Sequence, residues 1–439
     1  MTSIKRLPSD YGMLVVLFAL AAFFSVLTYK QQQPTGAEAA SAFLAQFSND
    51  KNMSWIAVAG NGPQEDAFSQ RISSFLSNDP SQAARLKIVR ATPQDARQAI
   101  SSAEQDPSVE RLSIALSPDS SQWKLFENFA GKFPRLNPKI VAPKPYHWPN
   151  FLKKDNLLNI ANQIVVIAVI AVGMTLVIIA GGIDLSVGSL IALSAVLTTR
   201  LIRDFGGNES ATIVAMVVCS LIAIAACSFA GAISGGLVAW FDIPPFIATL
   251  AMMLVTSGFA YLLSEGQSID QIPAQFVWLG RGAMIGIPNS IWLIVVLYCI
   301  AYFAMNRMMY GRCVYAVGGN REAARLSGIN VRSITISTYV VCGALAGLGG
   351  VLMASQLKSG APTYGAMYEL YVIAAVVVGG TSLRGGEGKV VGTLIGALII
   401  AVIQNGMNLT GIESYTQKVV FGLVILAAVM IDHWRRKRG

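Results

Sequence analysis

Apolar stretches long enough to cross a lipid bilayer constrain this chain more than any other feature. A helix needs roughly 20 consecutive apolar residues to span the hydrocarbon core. The chain is 54% hydrophobic and only 13% charged, so we expect a multi-span α-helical membrane protein with about ten transmembrane helices. The stretches lie at 12–28, 160–180, 185–201, 211–238, 246–263, 291–305, 334–353, 371–379, 390–402 and 419–431.

Basic residues beside these stretches predict how the chain is oriented. They cluster before the first stretch, within 307–332 and at the C-terminal end. Because Lys and Arg stay on the cytoplasmic side and the number of spans is even, both termini and the 307–332 loop are expected in the cytoplasm. Arg200 and Arg203 are exceptions, since they fall outside. This placement accounts for the net charge of +9 without a nucleic-acid partner.

Cysteine and histidine are too sparse to suggest chemistry. The five cysteines lie in or next to apolar stretches at irregular spacing, which predicts neither a disulfide framework nor a zinc site. Two histidines cannot build a metal site or a catalytic triad. We therefore expect no metal and no catalytic residues on this chain.

The first 35 residues allow two interpretations. A basic start, an apolar run and the small residues Ala37 and Ala39 are typical of a cleavable signal, but they also fit an uncleaved anchor. The run is long and the alanines lie far beyond it, which favours the anchor. We assign 1–35 to a cytoplasmic N-terminus and the first transmembrane helix.

Residues 36–150 differ from the rest in being polar. Runs rich in Ile and Val at 55–59, 86–89, 112–116 and 140–141 alternate with amphipathic stretches at 65–76, 93–103 and 121–129. This pattern predicts a small α/β domain, inserted on the non-cytoplasmic side of the membrane. The glycines of 60–62 resemble a phosphate loop, but a simple turn explains them better because the rest of that motif is missing.

The remaining residues, 151–439, form the main membrane domain. Two blocks, 157–263 and 333–434, each contain four apolar stretches, and the single span between them gives the blocks opposite orientations. This arrangement predicts an inverted repeat. The Gly-x-x-x-Gly pairs Gly343 with Gly347 and Gly392 with Gly396 predict close helix packing.

One apolar stretch is interrupted by glycines and a carboxylate, which predicts a helix broken within or at the edge of the membrane. The interruption consists of Gly181, Gly182, Asp184, Ser186 and Gly188. Asp184 is suited to cap a new helix that begins at Leu185. The alternative is a direct part in a substrate path or gate.

The basic loop contains a short capped helix. Asn320 is suited to begin it and Gly328 to end it in a left-handed turn. A rigid helix between two spans suits mechanical coupling to a partner, although an ordinary loop helix has the same pattern. The residues concerned are Asn320, Arg321, Glu322, Ala323, Ala324, Arg325 and Gly328.

Several amides and one hydroxyl interrupt apolar sequence and are candidates for a substrate path. They are able to hydrogen-bond the hydroxyl groups of a passing solute, but bonds between helices are the commoner use of such residues. The candidates are Asn162, Gln163, Thr175, Gln404, Asn405 and Asn408.

Four stretches in order, 150–160, 180–189, 315–331 and 378–383, closely resemble the ribose, xylose and galactose branch of ABC transporter permeases. The resemblance covers 150–439. It implies a permease subunit of a bacterial monosaccharide importer in the inner membrane, either a homodimer or a paired permease surrounded by membrane lipid. It also implies cytoplasmic ATP-binding subunits, which hold ATP and Mg, and a periplasmic sugar-binding protein. Residues 320–328 resemble the helix that docks on the ATPase.

This chain departs from the family pattern in one respect, and its sequence also excludes an ATPase motif of its own. Relatives have a short connection where residues 36–150 lie, so this periplasmic insertion is unusual. The chain also lacks a phosphate-binding loop, because Val390 follows Gly388 and Lys389 and Leu383 stands where the first glycine belongs. We therefore expect no cofactor on this chain. A secondary transporter would need more ionisable groups within its spans, and a receptor would not need so many spans.

Overall fold

The computed structural model describes residues 9–49, 53–79, 82, 84–90, 92–126, 133–136 and 138–437. It separates them into two units, one within Met1–Thr28 and Asn150–Gly439 and the other within Tyr29–Pro149. The helices are α1 (Ser9–Leu27), α2 (Gly36–Asn49), α3 (Pro63–Asn78), α4 (Pro93–Gln105), α5 (Lys154–Ile179), α6 (Val187–Asp204), α7 (Ile213–Trp240), α8 (Pro245–Ser264), α9 (Trp278–Arg281), α10 (Asn289–Asn306), α11 (Met309–Gly319), α12 (Arg321–Leu326), α13 (Val331–Leu357), α14 (Tyr368–Val378), α15 (Val390–Leu409) and α16 (Ser414–Lys437). The strands are β1 (Tyr29–Gln32), β2 (Ser54–Ala59), β3 (Leu86–Arg90), β4 (Leu112–Leu116), β5 (Lys139–Val141), β6 (Tyr146–Pro149), β7 (Ala283–Met284) and β8 (Ile287–Pro288).

The larger unit is helical, and each predicted apolar stretch falls on one of its helices. Within the described residues, six helices are long and apolar enough to cross a membrane: α5, α7, α8, α10, α13 and α15. Shorter apolar segments lie in α1, α14 and α16. Helix α6 coincides with the remaining stretch but carries Arg200, Arg203 and Asp204 near its end. The chain is therefore a multi-span helical protein, while the count of ten spans stays a prediction.

Helix α5 forms the centre of this unit, because nearly every side chain from Ile164 to Ile179 is buried. Its neighbours pack closely through glycine. A Cβ atom on Gly343 would meet the backbone of Cys227 in α7, and one on Gly396 would meet the backbone of Ala375 and Gly379. Small residues allow such backbone approach in a bilayer, where apolar burial gives helices no net attraction. The close packing predicted from the Gly-x-x-x-Gly pairs is confirmed.

Buried hydroxyl groups add polar contacts between the same helices. Thr175 in α5 and Thr393 in α15 share a hydrogen bond of 2.8 Å between their hydroxyl oxygens. The Tyr298 hydroxyl of α10 donates to the carbonyl of Ala168 at 3.0 Å. Thr175 therefore serves helix packing, the commoner of the two roles considered for it.

The smaller unit contains a parallel sheet with strand order β3-β2-β4-β5. Alternate side chains of β2 point to opposite faces of the sheet. Trp55 packs with Phe47 of α2 and Phe68 of α3 on one face, whereas Val58 packs with Ile100 of α4 on the other. Strands β1 and β6 pair antiparallel at the two ends of the unit. The location of this α/β unit outside the membrane stays a prediction.

Two local features of this unit differ from the predicted pattern. Helix α2 is additional, and the predicted helix at 121–129 is wrong where it is described. Ser120–Gln122 and Lys124–Phe126 form separate 3-10 turns, and 127–129 lie outside the described residues. The Ser120 hydroxyl donates to the backbone carbonyls of Val58 and Ser117. Such side-chain bonds to the backbone compete with the regular hydrogen bonds of a helix.

The glycine turn after β2 does not resemble a phosphate cradle. The backbone N–H of Gly60 donates to the buried carboxylate of Glu65 at 2.9 Å. A Cβ on Gly60 would also collide with the carboxylate of Asp119. Carboxylates therefore occupy the position that a phosphate would need, which agrees with the turn interpretation.

Candidate functional site

A polar pocket of about 510 Å³ lies among the helices of the larger unit, and we call it the amide pocket. It is formed at the beginning of α5, the ends of α13 and α15, and α9. Four of the five amides predicted for a substrate path line it, whereas Gln404 does not. Its lining residues are Asn156, Asn159, Asn162, Gln163, Gly280, Arg281, Gln356, Asn405, Asn408 and Leu409.

Helical spacing explains why these amides meet. Asn156, Asn159 and Gln163 follow one another at intervals of three and four residues, so they share one face of α5. Asn405 and Asn408 share a face of α15 in the same way. Gln404 precedes Asn405 by one residue, a step that turns its side chain away from the shared face.

Some of these amides are already used by the fold. The side chains of Asn156 and Asn405 exchange two hydrogen bonds, of 3.0 and 2.9 Å, and both residues are buried. Asn162 accepts a bond from the Ser290 hydroxyl at 3.2 Å, and Asn408 accepts one from Gln417 at 2.8 Å. These contacts join α5 to α15, α5 to α10, and α15 to α16.

Other polar groups of the pocket are left for a solute. Asn159 and Gln163 are exposed to the pocket and form no side-chain hydrogen bond to another described residue. Arg281, which the sequence analysis does not single out, adds a cation and bonds the backbone carbonyl of Gln356. The pocket therefore presents amide donors and acceptors next to one positive charge.

The predicted helix break is present between α5 and α6. Gly181 adopts a left-handed backbone with φ of 85°, a conformation that disfavours other residues. Its N–H bonds the carbonyl of Ile178 at 2.9 Å, and the N–H of Gly182 bonds that of Val177 at 2.9 Å. These two bonds form a Schellman motif that ends α5.

The last carbonyl groups of α5 are all satisfied, which is what allows a break within an apolar environment. Besides the two Schellman bonds, the carbonyl of Leu176 accepts from Ala180 at 3.0 Å. The final carbonyl, that of Ile179, accepts from the N–H of Gly386 at 2.8 Å. A loop that is distant in sequence thus completes the helix end.

Asp184 lies in the break but does not cap a helix as predicted. Helix α6 begins at Val187, so Asp184 precedes its N-cap residue, Ser186. The fully buried carboxylate accepts from the N–H and hydroxyl of Ser186 through Oδ1, at 2.9 and 2.6 Å. Its Oδ2 meets no N–H or O–H group of the described residues, and the Cys342 thiol lies beside the carboxylate. Asp184 therefore holds the turn before the helix.

The predicted capped helix is α12, and its caps are confirmed. The Asn320 side chain accepts from the N–H of Ala323 at 2.9 Å, and Gly328 has a φ of 84°. The N–H groups of Gly328 and Ile329 bond the carbonyls of Arg325 and Ala324, at 3.0 and 3.1 Å, which completes a second Schellman motif.

The outer face of α12 is available for a partner. Arg321, Glu322, Ala323 and Arg325 are exposed, whereas Ala324 is buried. Glu322 and Arg325 form an exposed ion pair of 2.9 Å, and Leu326 next to them is 81% exposed. A single exposed leucine is common on protein surfaces, so these contacts leave the face accessible without marking it as a docking site.

A contact that is not predicted from the sequence joins α11, the helix before α12, to the break, and we call it the glycine junction. It consists of Gly181, Gly318, Gly385 and Gly386. A Cβ on Gly318 would overlap the carbonyl oxygen of Ile179, and one on Gly385 would lie 3.0 Å from the Cα of Gly181. Helix α11 passes directly into Asn320, so the end of α5 and the start of α12 are mechanically connected.

Three features of this unit are typical of a membrane transport protein. They are a polar pocket among apolar helices, a broken helix, and an exposed helix connected to that break. The family described as the branched-chain amino acid transport system permease component matches residues 156–429, more than half of the chain. The chain therefore belongs to this family of transport permeases. The resemblance found from the sequence motifs is confirmed.

The matches to curated relatives span most of the relatives' length and about two thirds of this chain. The Ribose import permease protein RbsC of Escherichia coli (strain K12) is 44% identical over 293 residues, which are 65% of this chain and 88% of the relative. RbsC of Bacillus subtilis (strain 168) is 42% identical over 286 residues, covering 65% and 86%. The D-allose transport system permease protein AlsC of Escherichia coli (strain K12) is 36% identical over 282 residues, covering 64% and 84%. No solved structure matches the chain.

Proposed function

We propose that this chain is the transmembrane permease subunit of a bacterial ATP-driven importer and forms the path for a monosaccharide. The amide pocket carries this proposal. A sugar presents hydroxyl groups that both donate and accept, and amide side chains do the same. A volume of about 510 Å³ lies in the range of small-molecule sites. The names of the relatives, which import ribose or transport allose, support the same class of solute.

The proposed assembly has several further parts. Two copies of this chain, or this chain and a paired permease, lie in the inner membrane with cytoplasmic termini. Separate subunits bind ATP and Mg, because this sequence lacks a phosphate-binding loop. Those subunits dock on 320–328, and a periplasmic sugar-binding protein delivers the sugar. The capped and exposed helix α12 supports the docking proposal.

Reconstitution tests this function directly. The chain is placed in liposomes with its candidate ATPase and sugar-binding protein, and uptake of labelled ribose and allose is measured. We expect uptake that requires both partners and internal ATP. Uptake driven by an ion gradient without ATP would instead identify a secondary transporter.

Two amides of the pocket should separate packing from transport. Asn405→Leu removes both bonds to Asn156 and leaves a buried amide unsatisfied, so it should lower the stability of the purified permease by about 1–3 kcal/mol. Asn159→Leu removes no bond between described residues, so the melting temperature should stay unchanged while the KM for uptake rises several-fold. Thermal unfolding in detergent and uptake titrations measure the two effects. Normal uptake by the Asn159→Leu variant would show that the amide pocket does not lie on the path of the transported sugar.

We also propose that the α/β unit lies in the periplasm and helps to dock or regulate the sugar-binding protein. Its removal is practical because the chain enters and leaves it at neighbouring points. The N–H of Asn150 bonds the carbonyl of Thr28 at 3.0 Å, and β1 and β6 are paired from end to end. A short Gly/Ser linker in place of 29–149 therefore needs to bridge only a small gap.

The variant with this linker should assemble normally but require several-fold more loaded binding protein for half-maximal uptake. Uptake and ATPase stimulation are measured across a titration of the binding protein. Identical titration curves with and without the unit would reject the docking role. Tight sugar binding by the isolated unit would identify it as a receptor instead.

A further inference from the structure

A second pocket, of about 270 Å³, lies beside the helix break, and we call it the Glu369 pocket. It is formed by the first turn of α6, by α8, by the segment 362–367 and by the first turn of α14. None of its residues belongs to the amide pocket. Its polar and aromatic groups include Ser189, Ser257, Tyr261, Thr363, Tyr364 and Glu369.

The backbone around this pocket is irregular between two apolar helices. Helix α14 has 11 residues and is about 16 Å long, roughly half of a bilayer core. The segment before it contains two left-handed residues, Gly365 and Met367, with φ of 73° and 70°. Irregular backbone at membrane depth is tolerated where it is buried or lines a water-filled cavity. Segment 362–367 lines a cavity.

Two interrupted segments meet at the pocket. Gly188 lies in the first turn of α6, just after the break, and a Cβ on it would collide with Gly365 and with Oε2 of Glu369. A Cβ on Gly365 would in turn collide with the carbonyl of Gly188. Ser189, the next residue, shares a hydrogen bond of 2.7 Å with Thr256 of α8. The glycine of the break motif therefore makes room for a carboxylate.

Glu369 is an unusual residue at this position of the fold. It is half-buried in the first turn of an otherwise apolar helix, and it forms no ion pair with any basic side chain of the described residues. Ionisable groups are costly inside a membrane and usually face a functional cavity. A carboxylate accepts hydrogen bonds and donates none, so a solute rich in hydroxyl donors matches its hydrogen-bonding capacity.

We infer that the Glu369 pocket is a hydroxyl-binding site on the path of the transported solute, with Glu369 accepting hydrogen bonds from its hydroxyl groups. Neighbouring hydroxyl-bearing side chains complete the polar wall, and Tyr261 offers a ring against which a sugar face can lie. The inference rests on the proposed function, because it assumes that the chain conducts a sugar. Discontinuous helices form the solute site of other transporters in the same manner.

The test uses the complete transporter in liposomes with ribose as the probe and saturating binding protein. Glu369→Gln keeps the shape of the side chain but removes the charge, and we expect maximal uptake to fall at least tenfold. ATPase stimulation by loaded binding protein should stay within twofold, because docking and coupling are untouched. Glu413→Gln changes an exposed carboxylate outside both pockets and serves as the matched control.

The outcomes separate the two proposals. Absence of both ribose and allose uptake by the unmodified transporter contradicts the proposed function. Normal uptake by the Glu369→Gln variant of a working transporter overturns the Glu369 site alone. An equal loss of uptake and ATPase stimulation also overturns it, because such a loss indicates a structural role.

A second measurement applies if the Glu369 variant does not assemble. Ser257→Cys is introduced after Cys299 and Cys313, the cysteines that are not buried, are changed to serine. A small, water-soluble thiol reagent should modify the new cysteine, and ribose supplied with binding protein and ATP should slow this reaction at least threefold. Absence of modification, or a rate that ribose does not change, would overturn the inference.

Discussion

Gly318→Ala is expected to abolish ATP-driven uptake, whereas Gly319→Ala should leave it within about twofold of the unmodified protein. A Cβ on Gly318 would overlap the carbonyl oxygen of Ile179, while a Cβ on Gly319 meets no atom within 4 Å. The Ile179 carbonyl also accepts the Gly386 bond that completes the end of α5. A methyl group at Gly318 must therefore push α11 away from this helix end, and overpacking against rigid backbone costs about 1–3 kcal/mol or more.

The mechanical consequence follows from the chain connection. Helix α11 leads into α12, where the ATPase is proposed to dock, and α5 leads into the break. Displacement at Gly318 separates the two, so binding protein should no longer stimulate ATP hydrolysis. Assembly of the complex is checked by size-exclusion chromatography and ATPase stimulation by a titration of loaded binding protein. Equal effects of the two alanine substitutions would show that the glycine junction transmits nothing.

Local features of these elements were readable from the sequence because they depend on neighbouring residues. Asn320 caps α12 and Gly328 ends it, as predicted, since both act on backbone groups within four positions. Gly181 ends α5 for the same reason. Long-range partners have no such local pattern. Nothing near Ile179 in sequence indicates that Gly386 bonds its carbonyl group.

The pocket residues show the same division. Amides within apolar sequence are visible as exceptions, and helical spacing brings most of the predicted ones to one pocket. The sequence does not reveal that Asn156 and Asn405 bond each other, so it cannot separate packing amides from free ones. Glu369 is not singled out by the sequence pattern, because it precedes the apolar stretch 371–379 by two residues. Its significance emerges only when the fold places it against Gly188.

The error at Asp184 has a physical origin. Asp is favoured both as an N-cap residue and in the turn before a helix. The two roles differ only in which backbone N–H group donates a hydrogen bond to the carboxylate. The N-cap residue is Ser186, two residues later, and its side chain makes no capping bond but donates to Asp184 instead. The predicted cap at Asp184 is therefore wrong, and the helix begins at Val187, two residues after the predicted start at Leu185.

Asp184→Ala is expected to abolish uptake, and Asp184→Asn should keep a measurable part of it. The Oδ1 atom accepts two hydrogen bonds from Ser186, and an asparagine oxygen can accept both. Alanine leaves the buried N–H and hydroxyl of Ser186 without their acceptor, at a cost of about 1–3 kcal/mol for each unsatisfied group. Without these bonds the turn before α6 is no longer held in one conformation. Gly188 is then no longer fixed beside Glu369.

Ser186→Ala separates the two bonds, because it removes the hydroxyl and keeps the N–H contact. We expect its melting temperature and uptake to fall between those of the unmodified protein and Asp184→Ala. Thermal unfolding of the purified permease and ribose uptake by the complete transporter are measured for all three variants. If Asp184→Asn unfolds at the normal temperature, assembles normally and is nevertheless as inactive as Asp184→Ala, the negative charge itself takes part in transport. The role of Asp184 would then lie in the substrate path or gate and not in the turn.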